Sequence, residues 1–303
     1  MYQVKRVSRC AFLPIRNLSY HVRSWGQAAP GQTPLVLLHG WMDVSASFQF
    51  MVDALAEHRP IIAPDWRGFG LTRSGAADCF WFADYLADLD ALLDLVAPHQ
   101  AVDLLGHSMG GNIAMLYAGV RPQRVRRLIN LEGFGLPSTQ PDQAAARFAS
   151  WMDQLREARS GQRSLRSYAS LAEVAQRLQR NNPRLSIEKA AWLAPHWSAQ
   201  GADGRWEILG EAAHKITSAM LYRVDETLAI HRCIGAPALM VSAAADSMAQ
   251  WWGKTFTQVE HLERLRVVPQ LHHSVLKDCG HMLHHDQPEA LARLIDDFLA
   301  SAA

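Results

Sequence analysis

A doubly wound α/β fold, with a mostly parallel sheet and an inserted helical cap, is predicted from three features of the 303-residue sequence. Short runs that are apolar at every position recur along the chain. Amphipathic helical stretches separate them. One long interval, from Leu131 to Ala238, has helical periodicity and no such run. Runs without polar alternation mark strands covered on both faces, as in a parallel sheet sandwiched by helices. Strands and helices in alternation then give the doubly wound arrangement.

Residues 11–25 alternate loosely and are rich in aromatic and β-branched types, which predicts a pair of edge strands joined near Arg16-Asn17. Leu35-Val36-Leu37-Leu38 is the first fully apolar run. Ile61-Ile62-Ala63, Val102 to Leu105, Leu128 to Leu131 and Ala238 to Val241 follow. Between them, Phe48, Met51, Val52 and Leu55 share one helical face, as do Phe82, Leu86, Leu89, Leu93 and Val96. Pro288 opens a last helix whose Leu291, Leu294, Ile295 and Phe298 form its apolar stripe. In the interval, Phe148, Trp151, Met152 and Leu155 make one stripe; Tyr168, Leu171, Val174 and Leu178 make another; Ile187 to Trp197 is a third helical segment. The expected division is a core of residues 1–133 and 233–303 around a helical cap of residues 134–232. The 13 basic and 10 acidic residues of that cap give no cue to the charge of a ligand.

The chain is long enough to bury a substantial core. Thirty basic against 29 acidic residues leave a net charge of +1, with no long stripe of one sign, so no nucleic-acid partner is expected. Cys10, Cys79, Cys233 and Cys279 lack metal or redox spacing and read as reduced thiols. Lys5, Arg6 and Arg9 interrupt the first 15 residues, which do not read as a secretory signal, and no apolar run approaches the ~20 residues of a membrane span. A cytoplasmic protein that acts on a small molecule, as monomer or homodimer and without membrane contact, is the expectation.

The chemistry centres on Val102 to Asn112, where an apolar strand run enters Gly106-His107-Ser108-Met109-Gly110 and a helix leaves it. Strand, sharp turn through a serine, then helix is the recipe for a nucleophile elbow. Small residues two positions either side of the serine are needed because strand and helix approach too closely for side chains. The competing reading is a helix start capped by a serine. A serine hydroxyl needs a base and an orienting acid. His281, in Asp278-Cys279-Gly280-His281, is the base candidate: it lies after Ser108 in the Ser, acid, His order, and Gly280 permits the turn. His272, His273, His284 and His285 crowd the same stretch and read as surface or supporting residues. No carboxylate–histidine set of zinc-like spacing accompanies them, so neither metal nor cofactor is expected. The acid should stand just past a strand end. Asp246 does so after Ala238 to Val241, and Glu132 does so after Leu128 to Leu131; Asp246 is preferred and Glu132 is the alternative. Asp225 and Asp278 read as structural. Backbone donors for an oxyanion are expected from Met109 N–H and from Trp41 N–H in His39-Gly40-Trp41-Met42-Asp43. The Trp41 indole is a candidate pocket wall. Trp192 and Trp197 are candidate substrate contacts, with core packing as the competing reading.

Together, His39-Gly40-Trp41, Asp65-Trp66-Arg67-Gly68-Phe69-Gly70, Gly106-His107-Ser108-Met109-Gly110-Gly111 and Gly280-His281 resemble the α/β-hydrolase superfamily over nearly the whole chain. His39-Gly40-Trp41-Met42-Asp43 followed by Ser47-Phe48, and Tyr222-Arg223 ahead of Ile234-Gly235-Ala236-Pro237, resemble its serine-hydrolase-like subgroup. The resemblance implies that Asp65 to Gly70 is a structural loop in which Asp65 ties down backbone. Relatives often carry a glycine three residues before the acid, where this chain has Ala243, and that keeps Glu132 in play. The implied activity is a carboxylesterase-like serine hydrolase cleaving a small ester, thioester or amide through an acyl-enzyme on Ser108. Carbon–carbon bond hydrolysis or lyase chemistry on the same triad is one alternative; a ligand-binding receptor with weak turnover is another.

Overall fold

The computed structural model describes residues 2–27, 31–75 and 77–301, so the outer bounds 1 and 303 of the expected core lie outside the described residues. The chain opens with an antiparallel hairpin, β1 (Arg9–Ile15) and β2 (Leu18–Trp25). There follow β3 (Leu35–Leu38), α1 (Gln49–Ala54), β4 (Ile61–Pro64), α2 (Phe82–Val96), β5 (Val102–His107), α3 (Met109–Val120) and β6 (Val125–Leu131). An excursion then carries α4 (Ala144–Arg159), β7 (Ser167–Tyr168), α5 (Leu171–Asn181), α6 (Ile187–Trp197), β8 (Ser198–Gln200), β9 (Trp206–Ile208) and α7 (Val224–His231). The chain finishes with β10 (Ala238–Ala243), α8 (Ser247–Trp252), α9 (Gln258–Leu265), β11 (Leu271–Leu276), α10 (Leu283–Asp286) and α11 (Pro288–Ala300).

Eight strands form one sheet in the order β1-β2-β4-β3-β5-β6-β10-β11. Pairings from β4 onward are parallel, and β1 and β2 are antiparallel edge strands. The period-two alternation of strand side chains divides each apolar run between two cores. Val36, Leu38, Leu104 and Leu128 pack with Leu89 and Leu93 of α2 and Ile113 of α3. Leu35, Leu37, Leu105 and Ile129 pack on the other face with Met51 and Val52 of α1 and Leu291 and Ile295 of α11. This double coverage is why the runs carry no polar alternation.

Three expectations need correction. β11 escapes the apolar-run criterion because it is an edge strand, with His272, His273 and Val275 exposed. The excursion is not purely helical: β7, β9 and β8 form a three-stranded antiparallel sheet whose strands are too short to show alternation. The stripe on α4 is not a core stripe, since that helix has no buried residue and Phe148 and Met152 are exposed. The other two helical segments form as α5 and α6, with Val174, Leu178, Leu193 and Trp197 buried, but Tyr168, expected on the same helical stripe as Leu171, lies on β7. The excursion rejoins the sandwich through α7, which lies so close to α3 that a Cβ on Gly119 would meet Ile230 O at 2.2 Å. Among the described residues, no helix is long and apolar enough to cross a membrane.

The Asp65 loop behaves as expected. The buried carboxylate accepts the Ser45 N–H at 2.7 Å, the Leu71 N–H at 2.9 Å and a hydrogen bond from His21 Nδ1 at 2.7 Å. Gly70 (φ +55°) is required there, because its Cβ would fall 2.1 Å from Asp65 Oδ2.

Candidate active site

Ser108 occupies the turn between β5 and α3 with φ +53° and ψ −116°. Such a backbone costs on the order of 1–3 kcal/mol for a residue with a side chain and persists only where its surroundings impose it. Here the Ser108 N–H donates to Leu131 O at 2.8 Å and the Ser108 carbonyl accepts the Asn112 N–H at 3.0 Å. The flanking glycines are obligatory. A Cβ on Gly106 would sit 2.1 Å from Gly110 O, and one on Gly110 would sit 2.1 Å from Leu38 O.

His281 stands on the loop between β11 and α10, with its side chain 19% exposed. Its Nδ1 is 3.2 Å from Glu132 Oε2. The other carboxylate oxygen, Oε1, accepts the Ala243 N–H at 2.7 Å. Glu132 is buried, has φ +56°, and its own N–H donates to Val241 O at 3.1 Å. The turn that presents it is stapled by Asn130, whose amide donates to Gly133 O at 2.9 Å and accepts the Gly133 N–H at 2.8 Å. With Nδ1–H directed at the carboxylate, the Nε2 lone pair of His281 is free to accept a proton.

The carboxylate beside His281 is therefore Glu132 and not Asp246. β6 lies between β5 and β10, so its end adjoins the elbow strand, whereas the chain beyond β10 runs on into α8. There Asp246 is exposed and accepts the Ala249 N–H at 3.0 Å, capping the helix. Ala243 itself supplies the backbone donor that holds Glu132.

The loop after β3 packs directly on the elbow, with a Cβ on Gly40 falling 3.2 Å from that of Ser108. His39 accepts the Trp66 N–H at Nε2 (2.9 Å), so its Nδ1 carries the hydrogen and donates to Gly40 O at 2.8 Å. Trp41 and Met109 both line the cavity with Ser108, and the Trp41 indole N–H donates to His214 O at 3.3 Å. Met42 (φ +54°), Ser108, Glu132 and Asp278 (φ +56°) are all left-handed, so four parallel strands of the sheet are each followed by a strained turn at the same edge. Only the strain at Ser108 is foreshadowed by sequence.

These turns open into a cavity of about 910 Å³ lined by Ser108, His281, Glu132, Trp41, Trp197 and Trp251, among others. Trp197 lines it with its indole N–H 3.3 Å from Ser47 Oγ. Trp192 does not line it; that ring packs behind, 5.6 Å from Phe50 and 4.5 Å from His196. Five residues on a helix amount to about 140° of rotation, so the two tryptophans of α6 cannot share one face.

Behind the elbow lies a buried polar group that sequence spacing could not reveal. Asp43, His107 and His284 come from three separate segments, and their ligand atoms lie within 4.8 Å of one another. This trio is what could hold a metal ion among the described residues. His107 Nε2–H donates to His281 O at 2.8 Å, which ties the residue before Ser108 to the His281 loop. Asp43 Oδ1 accepts the Val44 N–H at 2.8 Å and the Ser47 hydroxyl. Burial pushes the Asp43 carboxyl up to about 7, and drives His107 and His284 well below the ordinary imidazole range, so both rings are neutral.

A family model described as alpha/beta hydrolase fold matches residues 33–288. A serine hydrolase-like protein of Danio rerio is 27% identical over 272 residues, 88% of this chain and 81% of that protein. A serine hydrolase-like protein of Dictyostelium discoideum is 29% identical over 271 residues, 83% of this chain and 72% of its own length. Among solved structures, a thioesterase domain from the curacin biosynthetic pathway superposes with a TM-score of 0.81 at 23% identity, covering 97% of this chain and all of that one, which is a likeness of fold.

Proposed function

We propose that this chain, which belongs to the alpha/beta hydrolase fold family, is a serine hydrolase of small carboxylic esters, thioesters or amides. Ser108 Oγ attacks the substrate carbonyl as His281 Nε2 takes the hydroxyl proton. Glu132 keeps the imidazole in the Nδ1–H tautomer and stabilises the imidazolium that forms. The oxyanion is held by the N–H groups of Met109, at the positive end of α3, and Trp41. As the tetrahedral intermediate collapses, His281 returns the proton to the leaving group. Water then enters, deprotonated by the same nitrogen, and releases the acid and free Ser108.

The observation that carries this reading is the contact of His281 with a buried carboxylate at the edge of the cavity that Ser108 also lines. Release of p-nitrophenol from acetyl and butyryl esters tests it. Wild type should turn over and become labelled by a fluorophosphonate at Ser108, and Ser108→Ala should do neither. Equal behaviour of the two proteins across an ester and thioester panel would overturn the reading. Cleavage of a vinylogous diketone with no ester turnover would move the same residues to carbon–carbon bond hydrolysis.

A further inference from the structure

The cavity holds cations that the protein itself does not neutralise. Arg166, Arg177 and Lys215 all line it, and none forms an ion pair among the described residues. The two acids on the same wall are already committed: Glu132 to His281 and the Ala243 N–H, Asp43 to Val44 and Ser47. Arg166 and Lys215 are exposed to solvent.

Arg177 differs from them. Its Nη1 is buried and has no hydrogen-bond partner. Its guanidinium carbon lies 5.9 Å from the centre of the Trp197 ring, and that ring is anchored by its own N–H to Ser47. The half-buried side chain is thus held at the cavity wall by packing, on α5, with no anion beside it among the described residues. Asn181, one helical turn further along α5, lines the same cavity and adds an uncharged amide. A planar fork of N–H donors matches the two oxygens of a carboxylate.

We infer that Arg177 is an anion-binding residue of the substrate pocket, and that the substrate carries a carboxylate that docks on it while the scissile carbonyl lies at Ser108. This rests on the serine hydrolase reading and narrows it from small esters in general to monoanionic ones. The overall balance of charges in the inserted segment conceals the feature, because its acids lie elsewhere.

Three esters test it on the full-length protein. p-Nitrophenyl butyrate is neutral, mono-p-nitrophenyl glutarate has its carboxylate on the acyl part, and 4-butyryloxybenzoate has it on the leaving group. Wild type should favour one of the two anionic esters over the neutral one by about 10- to 100-fold in kcat/KM, through KM, as expected for a charge-assisted hydrogen bond. Which one it favours says on which side of the scissile bond Arg177 lies. Arg177→Gln should bring the anionic-to-neutral ratio close to one, and Arg177→Lys should restore part of it. Thermal melting in the presence of glutarate reads the site without turnover: the ligand should raise the melting temperature of Ser108→Ala and not that of Ser108→Ala combined with Arg177→Gln. Turnover of all three esters with no anionic preference, or a preference that Arg177→Gln leaves intact, would overturn the anion site while leaving the hydrolase reading in place. Stabilisation by glutarate that depends on Arg177, with no ester hydrolysed, would keep the site and overturn the hydrolase.

Discussion

His281 Nδ1 stands 3.2 Å from Glu132 Oε2, and the second oxygen of that carboxylate is occupied by the Ala243 N–H. Glutamine at position 132 keeps the shape and loses the charge, so Glu132→Gln should lower kcat on p-nitrophenyl esters by on the order of 10³–10⁴-fold. Asp246→Ala removes a helix cap, costing about 1 kcal/mol of stability, and should leave kcat within about threefold of wild type. Steady-state kinetics beside thermal melts decide the matter. Folded Asp246→Ala protein as inactive as Glu132→Gln would reverse the assignment.

The elbow tolerates no added atom. Gly110→Ala places a Cβ 2.1 Å from Leu38 O, a backbone atom that cannot swing aside. The variant should melt well below wild type, with a loss of several kcal/mol, and its soluble fraction should label slowly with a fluorophosphonate. Gly161→Ala is the control: its Cβ meets nothing within 4 Å, so only its left-handed φ of +77° is strained, and labelling should remain at the wild-type rate.

The two tryptophans of α6 should separate by assay. Trp197→Leu alters the cavity wall and should raise KM several-fold. Trp192→Leu thins the packing against Phe50 and Tyr2 and should lower the melting temperature with KM unchanged. A KM change in Trp192→Leu equal to that in Trp197→Leu would mean that the cavity extends behind α6.

Acid should unfold this protein early. Burial lowers His39 and His261 to about 4 and His285 to about 3, from 6.5. Between 6.5 and those values the unfolded chain binds more protons than the folded one, so stability is complete above 6.5 and falls as pH falls. Each ring forfeits about 2 kcal/mol between pH 6.5 and 5. Asp43 works in the opposite sense: raised to about 7, its contribution is complete below 3.8 and lost as pH rises through 7. Three groups outweigh one, so the melting temperature should drop steeply from pH 7 to pH 5, and His285→Phe should flatten the slope. A flat profile over that range would mean that these rings are charged, or solvated, in the folded protein.

The Ser108 turn and the place of His281 at its cavity were legible because each is a local event: a strand, turn and helix within eleven residues, and a glycine beside a histidine. The carboxylate beside His281 was not. Asp246 and Glu132 each follow a strand and each satisfy the Ser, acid, His order, and only the lateral order of strands puts β6 next to β5. One-dimensional spacing does not contain that order. For the same reason Asp43, His107 and His284, spread over a stretch of 242 residues, read as three unrelated residues until the sheet brings them together. The edge strand β11 was hidden for a different reason, since solvent on its outer side lets polar histidines interrupt the apolar pattern.

The chain departs from the sheet immediately after Glu132 and comes back to it through α7 and β10. Both joints are clamped by bonds between side chain and backbone: the Asn130 amide with Gly133 on one side, and the Ala243 N–H on the Glu132 carboxylate on the other. On the proposed hydrolase reading, Ser108, Glu132 and His281 all stand outside the excursion, so a foreign segment grafted between these anchors would leave that trio in place and replace only the part of the cavity wall that the excursion supplies.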